Sequence, residues 1–334
     1  MKLTRPEGLA MDGGDGLFGI SRSHKRMPAI AMDRCVHSRS ELASCRACAD
    51  ACPRGAWIVG DGGEDDGRVT LDAQACDGCG LCAPACPQAV IGHSHRVARR
   101  LDHGHPVAFA ACSQTGLRNG RDGVEGVLPC LNVLGQSELA ELYHAGVRRM
   151  VIVRESCATC PTGSSTAVRL ERAVEELNVL LEGRGLPPLT LTRRSVTPWR
   201  AYLTFDTTPD RAVIELKSDA AWPVGRRLPE PAEDRAAETV PWPWVPSIDA
   251  SVCSGCASCA RLCPTGAIRL AGDPPAFRIT AEDCTGCRLC VDACRPGALI
   301  LERLAPRRQT GIPLPRPAGG QVGEQGYASA QGFI

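Results

Sequence analysis

Cysteine spacing constrains this chain more than any other feature. Sixteen of its 20 cysteines fall into four blocks, and the blocks come in two pairs. Block two reads Cys76-x2-Cys79-x2-Cys82-x3-Cys86-Pro87. Block three reads Cys253-x2-Cys256-x2-Cys259-x3-Cys263-Pro264. Block four reads Cys284-x2-Cys287-x2-Cys290-x3-Cys294, then Arg295-Pro296, so its proline falls one place late. Block one holds Cys35, Cys45, Cys48 and Cys52-Pro53, with nine residues between its first two cysteines. Three cysteines at two-residue gaps wrap a tight loop around one centre. The x3 step begins a helical turn that carries the fourth away, and the proline ends the loop without adding a competing N–H.

Two other uses of so many cysteines fit poorly. A secreted disulfide scaffold needs a signal peptide. Met1 to Met32 has no continuous apolar run and no twin-arginine pair before one, and residues 1–27 read as a flexible Gly/Asp-rich lead. No run of 18 or more apolar residues appears, so no transmembrane helix is expected. Reduced, metal-binding thiols in the cytoplasm are the expectation. Zinc knuckles also use C-x2-C, but they need two pairs per site rather than triplets followed by x3-Cys-Pro. Aromatic content is only 4% against 43% hydrophobic, which suggests small cores held partly by something other than large side chains.

Both pairs of blocks resemble the two-cluster bacterial ferredoxins, over about residues 28–95 and 246–303. The resemblance implies four [4Fe–4S] clusters, electron carriage without bond chemistry, and crossed ligation in which the fourth cysteine of one block serves its partner's cluster. One cluster is then expected on Cys76, Cys79, Cys82 and Cys52. Another falls to Cys253, Cys256, Cys259 and Cys294, and a third to Cys284, Cys287, Cys290 and Cys263. The fourth takes Cys45, Cys48 and Cys86, with Cys35 as first ligand. The long gap in block one leaves a rival, a three-cysteine site completed by His37 or left with an open iron. The formal charge of +1 counts every thiol as neutral. Loaded with four 2+ cores on sixteen thiolates, the chain is expected at about −7, which suits a basic partner surface better than nucleic acid.

The blocks repeat beyond cysteine. An apolar residue stands five positions before each first cysteine: Ile30, Leu71, Ile248 and Ile279. A small or apolar residue stands four positions after each fourth: Ala56, Val90, Ala267 and Ala298. Each unit reads as strand, cysteine loop, helical turn and strand, too small for a core alone. First and second modules are expected at 28–100 and 248–304.

Residues 105–215 use another grammar. Apolar runs at Pro106–Cys112, Gly126–Cys130 and Val147–Val153 alternate with helical patterns. Ser137 can cap a helix that stops at Gly146, and a longer one carries Ala167, Leu170, Val174, Leu177 and Leu181 after a start at Thr162–Ser165. Strands alternating with helices predict a small α/β domain with a parallel sheet. The whole is then α+β, two ferredoxin-like 2[4Fe–4S] modules flanking that domain. Cys112, Cys130, Cys157 and Cys160 would gather at the C-terminal strand ends. Their order resembles the small [2Fe–2S] delta subunit of methyl-viologen-reducing hydrogenases, which hands electrons to heterodisulfide reductase. This chain has a shorter C-x2-C at 157 and 160. The residues leave open an iron–sulfur site, zinc, or free or redox-active thiols at Cys157 and Cys160.

Other signals say less. His93-Ser-His95 and His103-Gly-His105 have the residue type to bind metal, but they read first as solvent-exposed histidines in a loop beside the first module. No G-x-G-x-x-G or P-loop appears. Residues 221–247 read as an extended Pro-rich linker whose Trp222, Trp242 and Trp244 pack on the second module, and 305–334 as a tail. The expected role is an electron-transfer subunit, with electrons entering one module, crossing the middle domain and leaving by the other. The expected partner is a larger enzyme of hydrogenase, formate dehydrogenase or heterodisulfide-reductase type. An enzyme doing thiol chemistry at Cys157 and Cys160 is the alternative.

Overall fold

The computed structural model describes residues 27–60, 69–120, 124–157, 160, 169–195, 211–217, 223–236, 238–307 and 311–313. The N-terminal lead before 27, the helix start at Thr162–Ser165 with Ala167, Trp222, and most of the tail lie outside them.

The first module contains β1 (Ala29–Ile30), α1 (Ala47–Ala51), β2 (Trp57–Val59), β3 (Val69–Leu71) and β4 (Ile91–Gly92). β1 pairs antiparallel with β4, and β2 with β3. The strand leading into block one therefore pairs with the strand leaving block two, and the reverse. Two bonds outside the ladders mark this crossing: Ala31 N–H to Val90 O and Asp72 N–H to Ala56 O, both 2.8 Å. Ala56 and Val90 are buried, as expected of the repeat positions.

The middle domain is a six-stranded sheet. Its strands are β5 (Ser94–Asp102), β6 (His105–Cys112), β7 (Val127–Leu128), β8 (Arg149–Val153), β9 (Thr190–Arg194) and β10 (Arg211–Lys217). The order is β10-β5-β6-β8-β9, with β7 added to β6. The sheet is mixed, which corrects the expectation of a parallel one. β6 through β9 run parallel, but β5 and β10 run antiparallel to their neighbours. The cause is local. Asp102 pairs with His105, so only His103 and Gly104 join β5 to β6. Both have positive φ, 51° and 80°, the geometry of a tight hairpin turn and too short for a parallel crossover. β5 also moves the start of this domain back to 94, inside the stretch expected for the first module.

Helices α2 (Gln136–His144) and α3 (Arg169–Glu182) cover one face of the sheet. Leu139, Leu142, Met150, Ile152, Leu170 and Leu177 form the centre of that core and are fully buried. Ser137 is not the cap of α2. Gly135 is, with its N–H donating to the Glu138 carboxylate at 3.0 Å. Gly146 ends the turn as expected, its N–H bonded to Tyr143 O.

The second module repeats the first. Ahead of it lies α4 (Val224–Arg227), then β11 (Pro241–Ile248), α5 (Ser258–Leu262), β12 (Ile268–Ala271), β13 (Ala276–Ile279), α6 (Leu289–Asp292), β14 (Leu299–Pro306) and β15 (Gly311–Pro313). β11 pairs with β14 and β12 with β13, while β15 adds a third strand to β13. Asp249 N–H to Ala298 O and Thr280 N–H to Ala267 O repeat the crossing bonds of the first module.

The expected linker is therefore structured where it is described. The prolines in β11 sit at Pro241, Pro243 and Pro246, and a two-stranded sheet offers them an open edge. Trp244 packs on the second module, but Trp242 lies under the Arg184 guanidinium of the middle domain, 4.7 Å from it. α4 clamps the two together. Arg226 pairs with Asp283, and the His144 ring nitrogen meets Arg227 O at 2.5 Å. Glu176 of α3 accepts from Gln136 at 2.6 Å and pairs with Arg303 of β14. The start of the expected tail, likewise, is strand: β14 runs to Pro306.

Candidate metal centres

The crossed strand pairing carries each fourth cysteine to the partner block. One cavity is walled by Cys35, Cys45, Cys48 and Cys86, a second by Cys52, Cys76, Cys79 and Cys82, and a third by Cys253, Cys256, Cys259 and Cys294. The remaining thiols form a fourth set. Cys290 feels the charges of Cys284, Cys287 and Cys263, and Cys284 and Cys287 also line the large cleft between the modules. Among the described residues, no three His, Cys, Asp or Glu side chains close tightly enough on one point to hold a single metal ion.

Fit to an iron–sulfur cluster rests on donor type and surroundings. Each set is all thiol, and backbone N–H groups aim at the sulfurs. Ala56 N–H reaches Cys52 Sγ at 3.3 Å, and Val90 N–H reaches Cys86 Sγ at 3.4 Å. These are the residues four places after a fourth cysteine, so the repeat position seen in the sequence is an amide donor to sulfur. Trp57 lines both cavities of the first module and stands between them, with a hydrogen bond to Cys82. No signal in the sequence marked that role.

Burial sets the protonation of the metal-free thiols. It pushes Cys48, Cys79 and Cys284 up to about 12, and Cys82 and Cys259 up to about 11. The neighbouring sulfurs of each set add to the push. Only a bound cation reverses this, because a thiolate in an apolar wall needs positive charge beside it. Cys256 is the exception. It alone among the cysteines is exposed, and the N–H and hydroxyl of Ser258 pull its thiol down.

Block one keeps Cys35 in the wall of its cavity, buried. His37 lines the same cavity, but its Nε2 meets Cys45 O at 2.8 Å. The ring is thereby engaged with the loop backbone.

The histidine pair departs from expectation. His95 sits on β5, 5% exposed, because strand alternation turns it inward with Val97. His93 stacks on it, ring centres 5.4 Å apart and planes within 4°, and lines the Cys52/Cys76/Cys79/Cys82 cavity. His103 and His105 are exposed, as expected.

In the middle domain, Cys112 ends β6, Cys130 follows β7 and Cys157 follows β8. Cys130 is buried and pushed up to about 11, first by burial and then by the charges of Cys112, Cys160 and Cys157. All four thiols therefore gather at the C-terminal edge of the parallel strands.

The two modules also touch each other. Gln88 Nε2 donates to Thr285 Oγ1 at 2.5 Å, and Ser44 donates to Asp292 through its N–H and hydroxyl at 3.0 and 2.8 Å. The modules therefore meet directly, with the sheet and its helices alongside.

A family model described as a 4Fe-4S dicluster domain matches residues 43–90, and a second of the same description matches residues 245–295. The chain carries two ferredoxin-type 4Fe-4S dicluster domains. They support [4Fe–4S] clusters and an iron–sulfur electron-transfer role. The first match starts after Cys35, and neither reaches the middle domain. No curated protein matches the chain. Among the described residues no helix is long and apolar enough to cross a membrane.

Proposed function

We propose that this chain is an electron-transfer subunit holding four [4Fe–4S] clusters in single file. The ligand sets are Cys52/Cys76/Cys79/Cys82, Cys35/Cys45/Cys48/Cys86, Cys263/Cys284/Cys287/Cys290 and Cys253/Cys256/Cys259/Cys294. A cluster bound at each supplies one-electron oxidation and reduction, with no bond made or broken in the protein. The observation that carries the reading is the grouping of sixteen thiols into those four sets by two copies of one crossed-strand module. In the first module, backbone N–H groups are directed at the Cys52 and Cys86 sulfurs, which favours the more negatively charged, reduced form.

Cys112, Cys130, Cys157 and Cys160 are proposed to hold a further [2Fe–2S] centre. A thiol quartet at strand ends, at the edge where α/β sheets bind ligands, supports this. The partner is proposed to be a larger cytoplasmic redox enzyme of hydrogenase, formate dehydrogenase or heterodisulfide-reductase type.

Iron and acid-labile sulfide per chain on anaerobically purified protein test the proposal. About 16 of each fits four cubanes, and about 18 of each adds the middle-domain centre. Zinc in place of iron overturns it.

A further inference from the structure

The contact between the modules is more than packing. Gln88 follows Cys86 by two residues, and its backbone N–H donates to the Cys86 sulfur. Its side-chain amide donates to Thr285 Oγ1 at 2.5 Å. The Thr285 side chain in turn hydrogen-bonds the Cys287 sulfur. Three hydrogen bonds thus join a sulfur of the inner set in the first module to a sulfur of the inner set in the second. Gln88 is 9% exposed, and Thr285 is half-buried at the edge of the cleft between the modules. Cys45 also lies close enough to Cys287 for its charge to act there, so the two inner sets face each other at this point. Ser44 and Asp292 brace the same junction.

We propose that Gln88 and Thr285 are positioning residues that form the electron bridge between the two dicluster modules, and that the middle domain is a branch beside this path rather than a link within it. The inference rests on the electron-transfer reading given above. One electron is lost at one inner quartet and gained at the other, so the exchange balances without a proton or co-reactant. A hydrogen bond to a cluster sulfur stabilises the reduced, more negative form and raises its potential. Thr285 therefore tunes the cluster of Cys263, Cys284, Cys287 and Cys290 as well as linking it.

The test uses full-length holoprotein and three variants, with a fourth, Gln88→Leu, in reserve. Thr285→Val keeps the shape of the side chain and removes the hydroxyl. Thr285→Ser restores the hydroxyl. Cys112→Ser/Cys130→Ser disables the middle-domain site. Iron and sulfide are counted first, and iron-free wild-type protein would sink the electron-transfer reading itself. With iron present, Thr285→Val is expected to lower the potential of one cluster and to weaken the magnetic interaction between the modules in the paramagnetic resonance spectrum of the reduced protein. Thr285→Ser is expected to recover both, and the middle-domain variant to leave both unchanged. If Thr285→Val fails to load iron, Gln88→Leu reads the same interaction from the other side of the bridge. An unchanged potential and interaction in the loaded bridge variant overturns the proposal. So does loss of the interaction in the middle-domain variant.

Discussion

Gly286 lies directly over the indole of Trp244: a Cβ at 286 would stand 2.3 Å from Trp244 Nε1. The glycine also has φ +75°, a conformation that side chains with a Cβ adopt at a cost. It occupies the gap between Cys284 and Cys287, so the cysteine loop can settle onto β11 only without a side chain there. Arg303 stacks on the same indole at 5.2 Å. Gly286→Ala is expected to cost at least about 1–3 kcal/mol. Thermal unfolding of the holoprotein checks this, and an unchanged midpoint counts against the contact.

Block one is decided by two substitutions. Cys35→Ser is expected to lower bound iron by about four atoms per chain, because Cys35 walls the cavity with Cys45, Cys48 and Cys86. His37→Gln is expected to leave the iron content unchanged, since the ring is engaged with Cys45 O. The opposite pattern would make His37 the ligand.

Cys256 is expected to be alkylated first in metal-free protein. It is exposed, and Ser258 pulls its thiol down, while burial holds Cys48 and Cys284 up at about 12. The thiolate is the nucleophile, so reaction follows exposure and acidity together. Brief treatment with iodoacetamide and peptide mapping reads the order directly.

Cluster assembly is expected to release protons and to grow more favourable as pH rises. Cys48, Cys79 and Cys284, held up at about 12, are protonated at neutral pH in the metal-free protein. Each must lose its proton to bind iron, so higher pH favours the loaded form and lower pH opposes it. Reconstitution in weakly buffered solution, at two starting pH values, measures both the proton count and the trend.

Leu81 ties the first module to the middle domain. It stands between Cys79 and Cys82 yet is fully buried in the core formed by α2, α3 and the sheet. Leu81→Ala is expected to cost about 2–5 kcal/mol. The loss should appear both in thermal stability and in iron retained by the Cys52/Cys76/Cys79/Cys82 set. Loss of stability without loss of iron would mean that the loop holds its shape independently of the sheet.

Much of this was legible in the residues. The positions of Ile30, Leu71, Ile248 and Ile279 mark real strands or their flanks, and Ala56, Val90, Ala267 and Ala298 are all buried. The stripe Leu170, Val174, Leu177 and Leu181 is the buried face of α3. Local signals mislead where a tertiary neighbour overrides them. Prolines at 241, 243 and 246 suggested a linker, but a strand at a free edge tolerates them, and β14 supplied its partner. His95 read as a surface residue because nothing nearby in sequence shows that β5 is an inner strand between β6 and β10.

The sequence by itself determined the ligand chemistry, because cluster loops are built from cysteines two and three residues apart and the turn between them is local. It also determined that the modules are copies, because both obey one register of apolar positions around those loops. Only the tertiary structure decided how the copies meet. Gln88 and Thr285 are 197 residues apart, and neither is distinguished by its neighbours in the chain. Their contact depends on how α4 and β11 seat the second module on α2 and α3, where Arg226, Glu176 and Trp242 find partners on other elements. Such docking depends on complementary surfaces contributed by separate elements, and no spacing rule within either module encodes it.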